Sequence, residues 1–410
     1  MINPITFIAP MAWRNLWRHR NRTLLTMLAV AIAVASMVLL GAFLSAWSAS
    51  AFDRTTAALT GHGQIHAVGF TDDPTVERSM PFPGGELGAA LGLPNIRAWT
   101  PRTYAPALIR SERESAPVGL YGIDPSREAK VSFLNPATIH GSALTDDQAR
   151  GVVIGRLLAD RLQVSLGRRV VIAAQNVLGE VEEIGLEVIG IYQGQPDLQK
   201  HAVFASIGQT QRFLGLGQNI SEIAFIADDK ERIASVAASL ETIAPHLDVQ
   251  RWDELQPFAA AVIQMSNGTN AIWVFVSFAL VAFGLVNTLL MVVYERLREF
   301  GLMLALGMKP GFLVAQVLLE STYLVLFGTL GGAAIGATAI RAMDDGLDLG
   351  RFGSGASMFG ATERLYPAID TEQMLFACVL VLVLSILTSL YPVIQSTRRV
   401  PITVLTRSQS

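Results

Sequence analysis

The sequence has little charge and almost no cysteine. Only 16% of its 410 residues are Asp, Glu, Lys or Arg, whereas about 25% is usual in a soluble chain. This deficit indicates long apolar segments. Cys378 is the single cysteine, which excludes an internal disulfide and a metal site built from several thiolates.

Motifs of common enzymatic chemistry are also missing. The sequence contains no Gly-Lys dipeptide, so it has no GxxxxGK[ST] loop for nucleotide phosphates, and it contains neither HExxH nor GxSxG. His62 and His66 have a spacing that suits a metal on a helix, but the neighbouring glycines favour a strand or turn. We therefore predict no active site, no metal and no cofactor bound by this chain.

Four apolar runs are long enough to cross a bilayer, which takes roughly 20 helical residues. The runs lie at 24–47, 271–293, 312–340 and 373–395. Residues 48–270 between the first two have the composition of a folded globular domain. The sequence thus predicts an α-helical membrane protein with four transmembrane helices and a large α+β extracytoplasmic domain inserted between helices 1 and 2.

Positive charges flank the first and last runs. The arginines concerned are Arg14, Arg18, Arg20 and Arg22 before the first run, and Arg398, Arg399 and Arg407 after the fourth. The positive-inside rule then predicts that both termini are cytoplasmic. Residues 48–270 and the loop 341–372 would lie outside, and residues 294–311 and the tail 396–410 inside. A signal peptide cleaved near Ala49–Ala51 is the alternative, although the apolar run exceeds the usual 7–15 residues.

Residues 1–23 predict an amphipathic helix at the membrane interface. Trp13 and Trp17 are apolar rings, and Arg14 and Arg18 are basic neighbours. A solvated basic flank is the alternative.

The segment 48–270 mixes strand and helix patterns. Predicted strands are Gly151–Gly155, Val170–Ala174, Ile184–Tyr192, Ile223–Ile226 and Asp248–Gln250, and predicted helices are Arg156–Gln163 and Glu231–Ile243. These elements favour an α+β domain rather than a repeat protein.

The third apolar run contains Gly328, Gly332 and Gly336. Glycines four residues apart lie along one stripe of a helix and let a second helix approach closely, so we predict a helix contact there. The alternative is that these glycines are ordinary apolar residues of the span without a specific helix contact. Glu320 in the same run is expected near the cytoplasmic interface, with a role in proton transfer as the less favoured possibility.

The loop 294–311 combines charges with a short apolar stretch at Leu302–Leu306. A helix of this kind can insert into a groove on a cytoplasmic partner, and a solvated turn is the alternative. The predicted coupling residues are Glu295, Arg296, Arg298, Glu299, Phe300, Gly301, Leu304, Leu306 and Gly307.

These segments resemble the permeases of ABC transporters of the MacB/FtsX type, including the lipoprotein-releasing LolC/LolE permeases. Arg298–Gly307 is similar to the family's REIGILRALG coupling segment, and Gln316–Gly336 to its third helix. Pro401–Leu405 is similar to the C-terminal tail, and Val152–Val171 to part of the outer domain. Met303, where the family often has a polar residue, and Thr406, before Arg407 in the tail, depart from the pattern.

The resemblance implies a coupled assembly in the cell inner membrane. Two permease chains, identical or related, would pair with two cytoplasmic ABC ATPase subunits that bind ATP and Mg. The helix at 294–311 would dock on the ATPase, and ATP-driven closure would move the outer domains by mechanotransmission. Membrane lipids are expected partners, lipoproteins or a periplasmic adaptor are possible partners, and nucleic acid is not expected.

Within this family the length and layout favour lipoprotein release from the inner membrane. The resemblance implies a substrate site at the outer ends of the first two helices, with the candidates Phe43, Trp47, Phe52, Met265, Trp273 and Val276. The same side chains are equally typical of an aromatic belt at the membrane surface.

Two other functions stay open. One is export of a peptide, antibiotic or other small molecule with a periplasmic adaptor. The other is FtsX-like activation of a cell-wall hydrolase without transport.

Overall fold

The structure is a computed structural model that describes residues 4–134, 139–145, 150–295, 299, 302–303, 306, 308–348, 364–369 and 371–398. It divides into two compact units. The first comprises Met1–Ala51 and Val262–Ser410, and the second comprises Phe52–Ala261.

Long helices build the first unit. They are α1 (Pro4–Leu16), α2 (Arg20–Thr55), α10 (Pro257–Glu295), α11 (Pro310–Arg341) and α12 (Thr371–Arg398). The one-turn segment Trp17–His19 joins α1 to α2, and the short strands β11 (Leu347–Asp348) and β12 (Arg364–Leu365) pair after α11.

Three stretches of the described residues are helical, long and apolar enough to cross a membrane. They are Thr23–Thr60, Pro257–Gly284 and Gly311–Arg341, and α12 contains a shorter apolar stretch, Met374–Thr388. Helix α10 begins at Pro257, before the apolar run at 271–293, because proline suits the first helical position and alanines follow it. The count of four spans stays a prediction.

The described residues of the helical unit form an apolar core. Helix α2 contributes Val30, Val34 and Val38, while Val325 comes from α11 and Val381 from α12. The apolar side chains of these helices therefore pack against each other.

The amphipathic segment near the N-terminus packs on α11. Trp13 lies with its ring centroid 6.0 Å from that of Tyr323 and 5.5 Å from that of Phe327. Its ring therefore contacts aromatic side chains of a long apolar helix.

The second unit is an α+β domain. Its strands are β1 (Gly63–Ala67), β2 (Ile96–Arg110), β3 (Ser115–Ile123), β4 (Ile139–Gly141), β5 (Gly151–Gly155), β6 (Arg169–Gln175), β7 (Val181–Tyr192), β8 (Ala202–Ser206), β9 (Glu222–Ala227) and β10 (Leu247–Arg251). Its helices are α3 (Gly85–Leu91), α4 (Pro125–Glu128), α5 (Arg156–Leu162), α6 (Pro196–His201), α7 (Ile207–Leu214), α8 (Ile233–Ile243) and α9 (Trp252–Leu255).

All ten strands belong to one sheet with the order β10-β1-β9-β2-β3-β8-β5-β7-β4, and β6 pairs with both β2 and β7. The pairs β3–β8 and β5–β7 are parallel, and the others are antiparallel. Because β6 bridges β2 and β7, six strands close a circuit. Closure of this kind satisfies strand edges that would otherwise be open.

Two of the apolar cores of the outer unit follow from this topology. Inside the closed circuit, Ile109, Leu120, Ile154, Ile172 and Val188 pack together. A second core joins Ile65 of β1 and Phe225 of β9 to Val236 and Leu240 of α8; these residues are buried in the same cluster.

The predicted strands and helices of the outer segment are confirmed. Predicted strand Gly151–Gly155 coincides with β5, the other four predicted strands lie within β6, β7, β9 and β10, and the two predicted helices correspond to α5 and α8. The hairpin β2–β3 and the strands β4 and β8 are not among the predicted elements. Pro101 and Pro106 lie inside β2, where proline argues against a strand because it lacks a backbone donor.

Candidate functional site

The three glycines of α11 face α2 at very short range. A Cβ atom on Gly332 would lie 2.5 Å from the carbonyl oxygen of Ala31, and one on Gly328 would lie 2.7 Å from Cβ of Val30. A Cβ atom on Gly336 would lie 3.0 Å from Cβ of Val38. The absence of side chains is thus what allows the two helices to approach.

Gly331 provides a contrast on the same helix. A Cβ atom on Gly331 would lie 4.0 Å from Cβ of Ala31, which is an ordinary contact distance. The close approach is therefore specific to the stripe Gly328, Gly332 and Gly336.

An apolar groove lies between α2 and α10, with a volume of about 350 Å³. Its walls come from Thr26, Ala29, Val30, Ile32, Ala33 and Ser36 of α2 and from Trp273, Val276, Ser277, Leu280, Val281 and Gly284 of α10. Almost all of this lining is apolar, so the groove suits a hydrocarbon group.

The groove brings together two of the predicted substrate residues, Trp273 and Val276. Phe43 and Trp47 contact each other on α2, with ring centroids 6.3 Å apart. Met265 is exposed on α10. None of these three lines the groove.

Phe52, the sixth predicted substrate residue, lies in the outer unit. It packs against His62 and Trp252, and we call these three residues the joint. The ring centroid of Phe52 is 5.0 Å from that of Trp252 and 5.4 Å from that of His62. The ammonium of Lys230 lies 4.5 Å from the centre of the Phe52 ring and 2.6 Å from Oδ1 of Asp53.

Both connections of the outer unit to long helices meet at this joint. Residues after Phe52 lead into β1, and residues after Trp252 lead into α10. The register pairs Gly63 at the start of β1 with Arg251 at the end of β10, so the two connections leave the sheet side by side.

Burial has a clear electrostatic consequence for His62. Burial first, and then the charge of Lys230, lower the pKa of His62 to about 4. Its Nδ1 accepts a hydrogen bond from the backbone N–H of Ala227 at 3.1 Å. The imidazole is therefore neutral and part of the structure at neutral pH.

A charged cluster is buried in the outer unit. Arg102 of β2 donates from Nε and Nη2 to both carboxylate oxygens of Glu128 at 2.9 and 2.7 Å, and from Nη1 to Glu222 at 2.7 Å. Nη1 also donates to the backbone carbonyl of Leu59. Burial lowers the pKa of Arg102, but the two carboxylates outweigh this effect and raise it.

Cross-strand pairing explains the arrangement. His66 of β1 is opposite Glu222 of β9, and Glu222 is opposite Arg102 of β2, so the three side chains form a row. Burial disfavours the carboxylate of Glu222, but His66 and Arg102 lower its pKa below the usual value. Sequence reasoning missed this cluster; its only signal was a charged residue, Arg102, inside a mostly apolar stretch.

The predicted coupling residues are only partly within the described residues. Arg296, Arg298, Phe300, Gly301, Leu304 and Gly307 lie outside them. Glu295 is the last residue of α10. Leu306 is 80% exposed, and Oε1 of Glu299 lies 3.2 Å from Nη1 of Arg18. The described part of the segment 294–311 therefore has an exposed leucine and an ion pair with the N-terminal segment.

Within the described residues, no group of three or more His, Cys, Asp or Glu side chains is arranged to hold a metal ion. His62 lies beside β1 and accepts a hydrogen bond from Ala227, and His66 lies in β1 opposite Glu222.

Comparison with known proteins agrees with this architecture. Residues 23–243 match the MacB-like periplasmic core domain, and residues 271–401 match the FtsX-like permease C-terminal domain. The chain belongs to the MacB-like family of ABC transporter permeases. It therefore combines a MacB-like periplasmic domain with apolar membrane helices, as the resemblance predicted.

Curated relatives of this MacB-like permease are export proteins. The pyoverdine export ATP-binding/permease protein PvdT of Pseudomonas aeruginosa is 23% identical over 79% of this chain and 50% of its own length. The macrolide export ATP-binding/permease protein MacB 2 of Aeromonas hydrophila is 21% identical over 80% of this chain and 51% of its own length. The chain thus spans about half the length of these relatives.

Among solved structures, the periplasmic region of MacB from Actinobacillus actinomycetemcomitans has a TM-score of 0.36 and 18% identity. The match covers 50% of this chain and 94% of that one.

Proposed function

We propose that this MacB-like permease couples ATP hydrolysis by a separate cytoplasmic ABC ATPase to movement of its periplasmic domain. The observation that carries the proposal is the pair of family matches, because they join a periplasmic core domain to a permease domain in one chain. Residues 1–410 contain no phosphate-binding loop. The proposal assigns the binding of ATP and Mg to the ATPase subunit.

The proposed topology follows the charge distribution. Four helices, at 24–47, 271–293, 312–340 and 373–395, cross the inner membrane, and both termini are cytoplasmic. The domain 48–270 is inserted between the first two helices and lies in the periplasm with the loop 341–372. Two permease chains form the complete unit.

The segment 294–311 is the proposed docking helix for the ATPase. Leu306 and Leu302 are exposed there, although burial would favour an apolar side chain by roughly 1.5–3 kcal/mol. A hydrophobic groove on a partner would supply that burial.

For the substrate we favour a lipid-anchored protein that is released from the inner membrane. The apolar groove between α2 and α10 supports this choice, because an acyl chain needs an apolar channel at membrane depth. Trp273 and Val276 would then contact the acyl chain.

Export of a small molecule is the second candidate. It is supported by the names of the relatives, which are pyoverdine and macrolide exporters. A periplasmic adaptor would be an additional partner in that case.

Replacement of Leu306 by Asp tests the docking proposal. We expect the variant to insert into the membrane normally but to lose binding of the ATPase and stimulation of its activity. The matched control is Leu178→Asp, since Leu178 is 78% exposed in the outer unit and Leu306 is 80% exposed. Unchanged ATPase binding by Leu306→Asp would contradict the proposal.

Reconstituted vesicles distinguish the two substrates. Vesicles that contain the permease and its ATPase would be supplied either with a triacylated lipoprotein or with a macrolide. ATP-dependent release of the lipoprotein supports the favoured function, whereas ATP-dependent transport of the macrolide alone supports export.

A further inference from the structure

Hydrogen bonds from several residues of the outer unit hold the C-terminal end of α2. Helix α2 ends at Thr55 and continues as a π-helical turn, Thr56–Thr60. Gly61 follows with φ = 65°, a conformation that glycine adopts readily, and its N–H donates to the carbonyl of Thr56 at 2.9 Å. The chain therefore changes direction sharply from the helix into β1.

Carbonyl groups at a helix end lack partners within the helix, and here the domain supplies them. The carbonyl of Leu59 accepts from Nη1 of Arg102 and, at 3.1 Å, from Nε2 of Gln64. The carbonyl of Ala57 accepts from the backbone N–H of Phe133 at 2.7 Å. Each donor comes from a different part of the outer unit, so the helix end is held from several sides.

Arg102 is the only one of these donors that carries charge. A cation at a helix C-terminus also interacts favourably with the helix dipole. Its guanidinium is oriented by Glu128, which is bidentate, and by Glu222. A planar group held by two carboxylates has one orientation, and that orientation directs Nη1 at Leu59.

Stability alone does not explain such a cluster. Well-packed apolar side chains are often as stabilising as a buried ion pair, whereas ion pairs and their hydrogen bonds impose direction. The hydrogen bonds of Arg102 give the end of α2 such a directional connection to the outer unit. Phe52, which lies in α2 four residues before Thr56, packs against His62 and Trp252 and adds aromatic contacts.

We propose that the cluster of Arg102, Glu128 and Glu222 locks the end of the first membrane helix to the periplasmic domain, and that Arg102 is a positioning residue for the ATP-driven movement. The second half of this inference rests on the proposed function. The lock itself is a property of the outer unit and can be tested without ATP.

Arg102→Lys is the most informative variant. Lysine keeps the positive charge between the two carboxylates, so the domain should fold, but an ammonium cannot reproduce the planar fork that reaches Glu128, Glu222 and Leu59 together. Thr100→Val is the matched control. The hydroxyl of Thr100 donates to Glu128 at 3.2 Å in the same cluster, and its side chain has no hydrogen bond to the helix end.

Hydrogen exchange of the full chain in lipid nanodiscs tests the lock. In Arg102→Lys we expect the amides of residues 56–62 to exchange at least tenfold faster, with β5 and β6 unchanged. Thr100→Val should stay within twofold of the parent chain. Unchanged exchange at residues 56–62 in Arg102→Lys, or an equal increase in Thr100→Val, would overturn the lock.

Distance measurement tests its role in movement. Spin labels at Leu178→Cys in a Cys378→Ser background would report the separation of the two outer domains in the complex of two permease chains with the ATPase. We expect ATP to change this distance in the parent chain and to change it less than half as much in Arg102→Lys. An equal change in both would overturn the positioning role, whereas no change in the parent chain would overturn the proposed function on which that role rests.

Discussion

At the scale of single residues, the missing side chain of Gly332 has the clearest structural effect. The carbonyl oxygen of Ala31 on α2 occupies the space that a Cβ atom would need, at 2.5 Å. Helix packing in membranes depends on such contacts because lipid offers no hydrophobic driving force between helices.

We predict that Gly332→Ala weakens the contact between α2 and α11, and that Gly331→Ala does not. Overpacking of this kind costs about 1–3 kcal/mol, whereas the space at Gly331 accepts a methyl group. Thermal unfolding of the purified full chain in detergent measures the difference. Equal melting temperatures for the two variants would contradict the assigned contact.

His62 predicts a dependence of stability on pH. Its pKa is about 4 in the folded chain and about 6.5 in the unfolded chain. Well above pH 6.5, His62 is neutral in both the folded and the unfolded chain, so protonation of His62 does not reduce the free energy of unfolding. As the pH falls from 6.5 towards 4, the unfolded chain binds the proton first, so stability decreases, by about 2 kcal/mol after allowance for solvent screening.

His62→Asn should remove this dependence, because asparagine keeps an acceptor for the N–H of Ala227 but does not titrate. The measurement is the loss of melting temperature between pH 7.5 and pH 4.5 in both proteins. We expect a smaller loss in the variant. The same loss in both would show that His62 does not contribute.

At the scale of elements, the groove between α2 and α10 predicts that a larger side chain in its wall reduces the binding of an acyl chain. Val276→Phe narrows the groove because Val276 is part of its wall. Ile272→Phe is the matched control, since Ile272 lies one turn away on α10, is exposed and does not line the groove.

Crosslinking of a photoreactive triacylated lipopeptide in nanodiscs measures this effect. We expect Val276→Phe to reduce crosslinking to α2 and α10 severalfold, and Ile272→Phe to leave it unchanged. Equal crosslinking in both variants and the parent chain would mean that acyl chains do not occupy the groove.

Elements with a simple local pattern were predictable from the sequence. Strand β5, Gly151–Gly155, has apolar residues between two glycines, and α8 has apolar residues at helical spacing. Strand β2 was not predictable in this way, because two prolines interrupt it and its partners β3, β6 and β9 come from distant parts of the chain.

The candidate sites also differ in whether a local sequence pattern indicates them. The glycine stripe on α11 is visible as a four-residue repeat, and the structure brings it against α2. The cluster of Arg102, Glu128 and Glu222 depends on pairing between strands far apart in sequence, so no local spacing indicates it. The groove likewise requires knowledge of which helices are neighbours.

At the scale of the whole molecule, the proposed function depends on which side of the inner membrane the segment 294–311 and the outer unit each face. In the proposed function, the segment 294–311 contacts ATP-hydrolysing subunits in the cytoplasm, and the MacB-like domain contacts substrate or partners in the periplasm. Leu306 and Leu178 are nearly equal in exposure, at 80% and 78%, and therefore suit a paired test.

Cysteine labelling of intact cells is that test. Leu178→Cys and Leu306→Cys, each in a Cys378→Ser chain, would be treated with a thiol reagent that passes the outer membrane but not the inner membrane. The proposed topology predicts labelling of Leu178→Cys in intact cells, and of Leu306→Cys only after the inner membrane is opened. Labelling of Leu306→Cys from outside, or protection of Leu178→Cys, would contradict it.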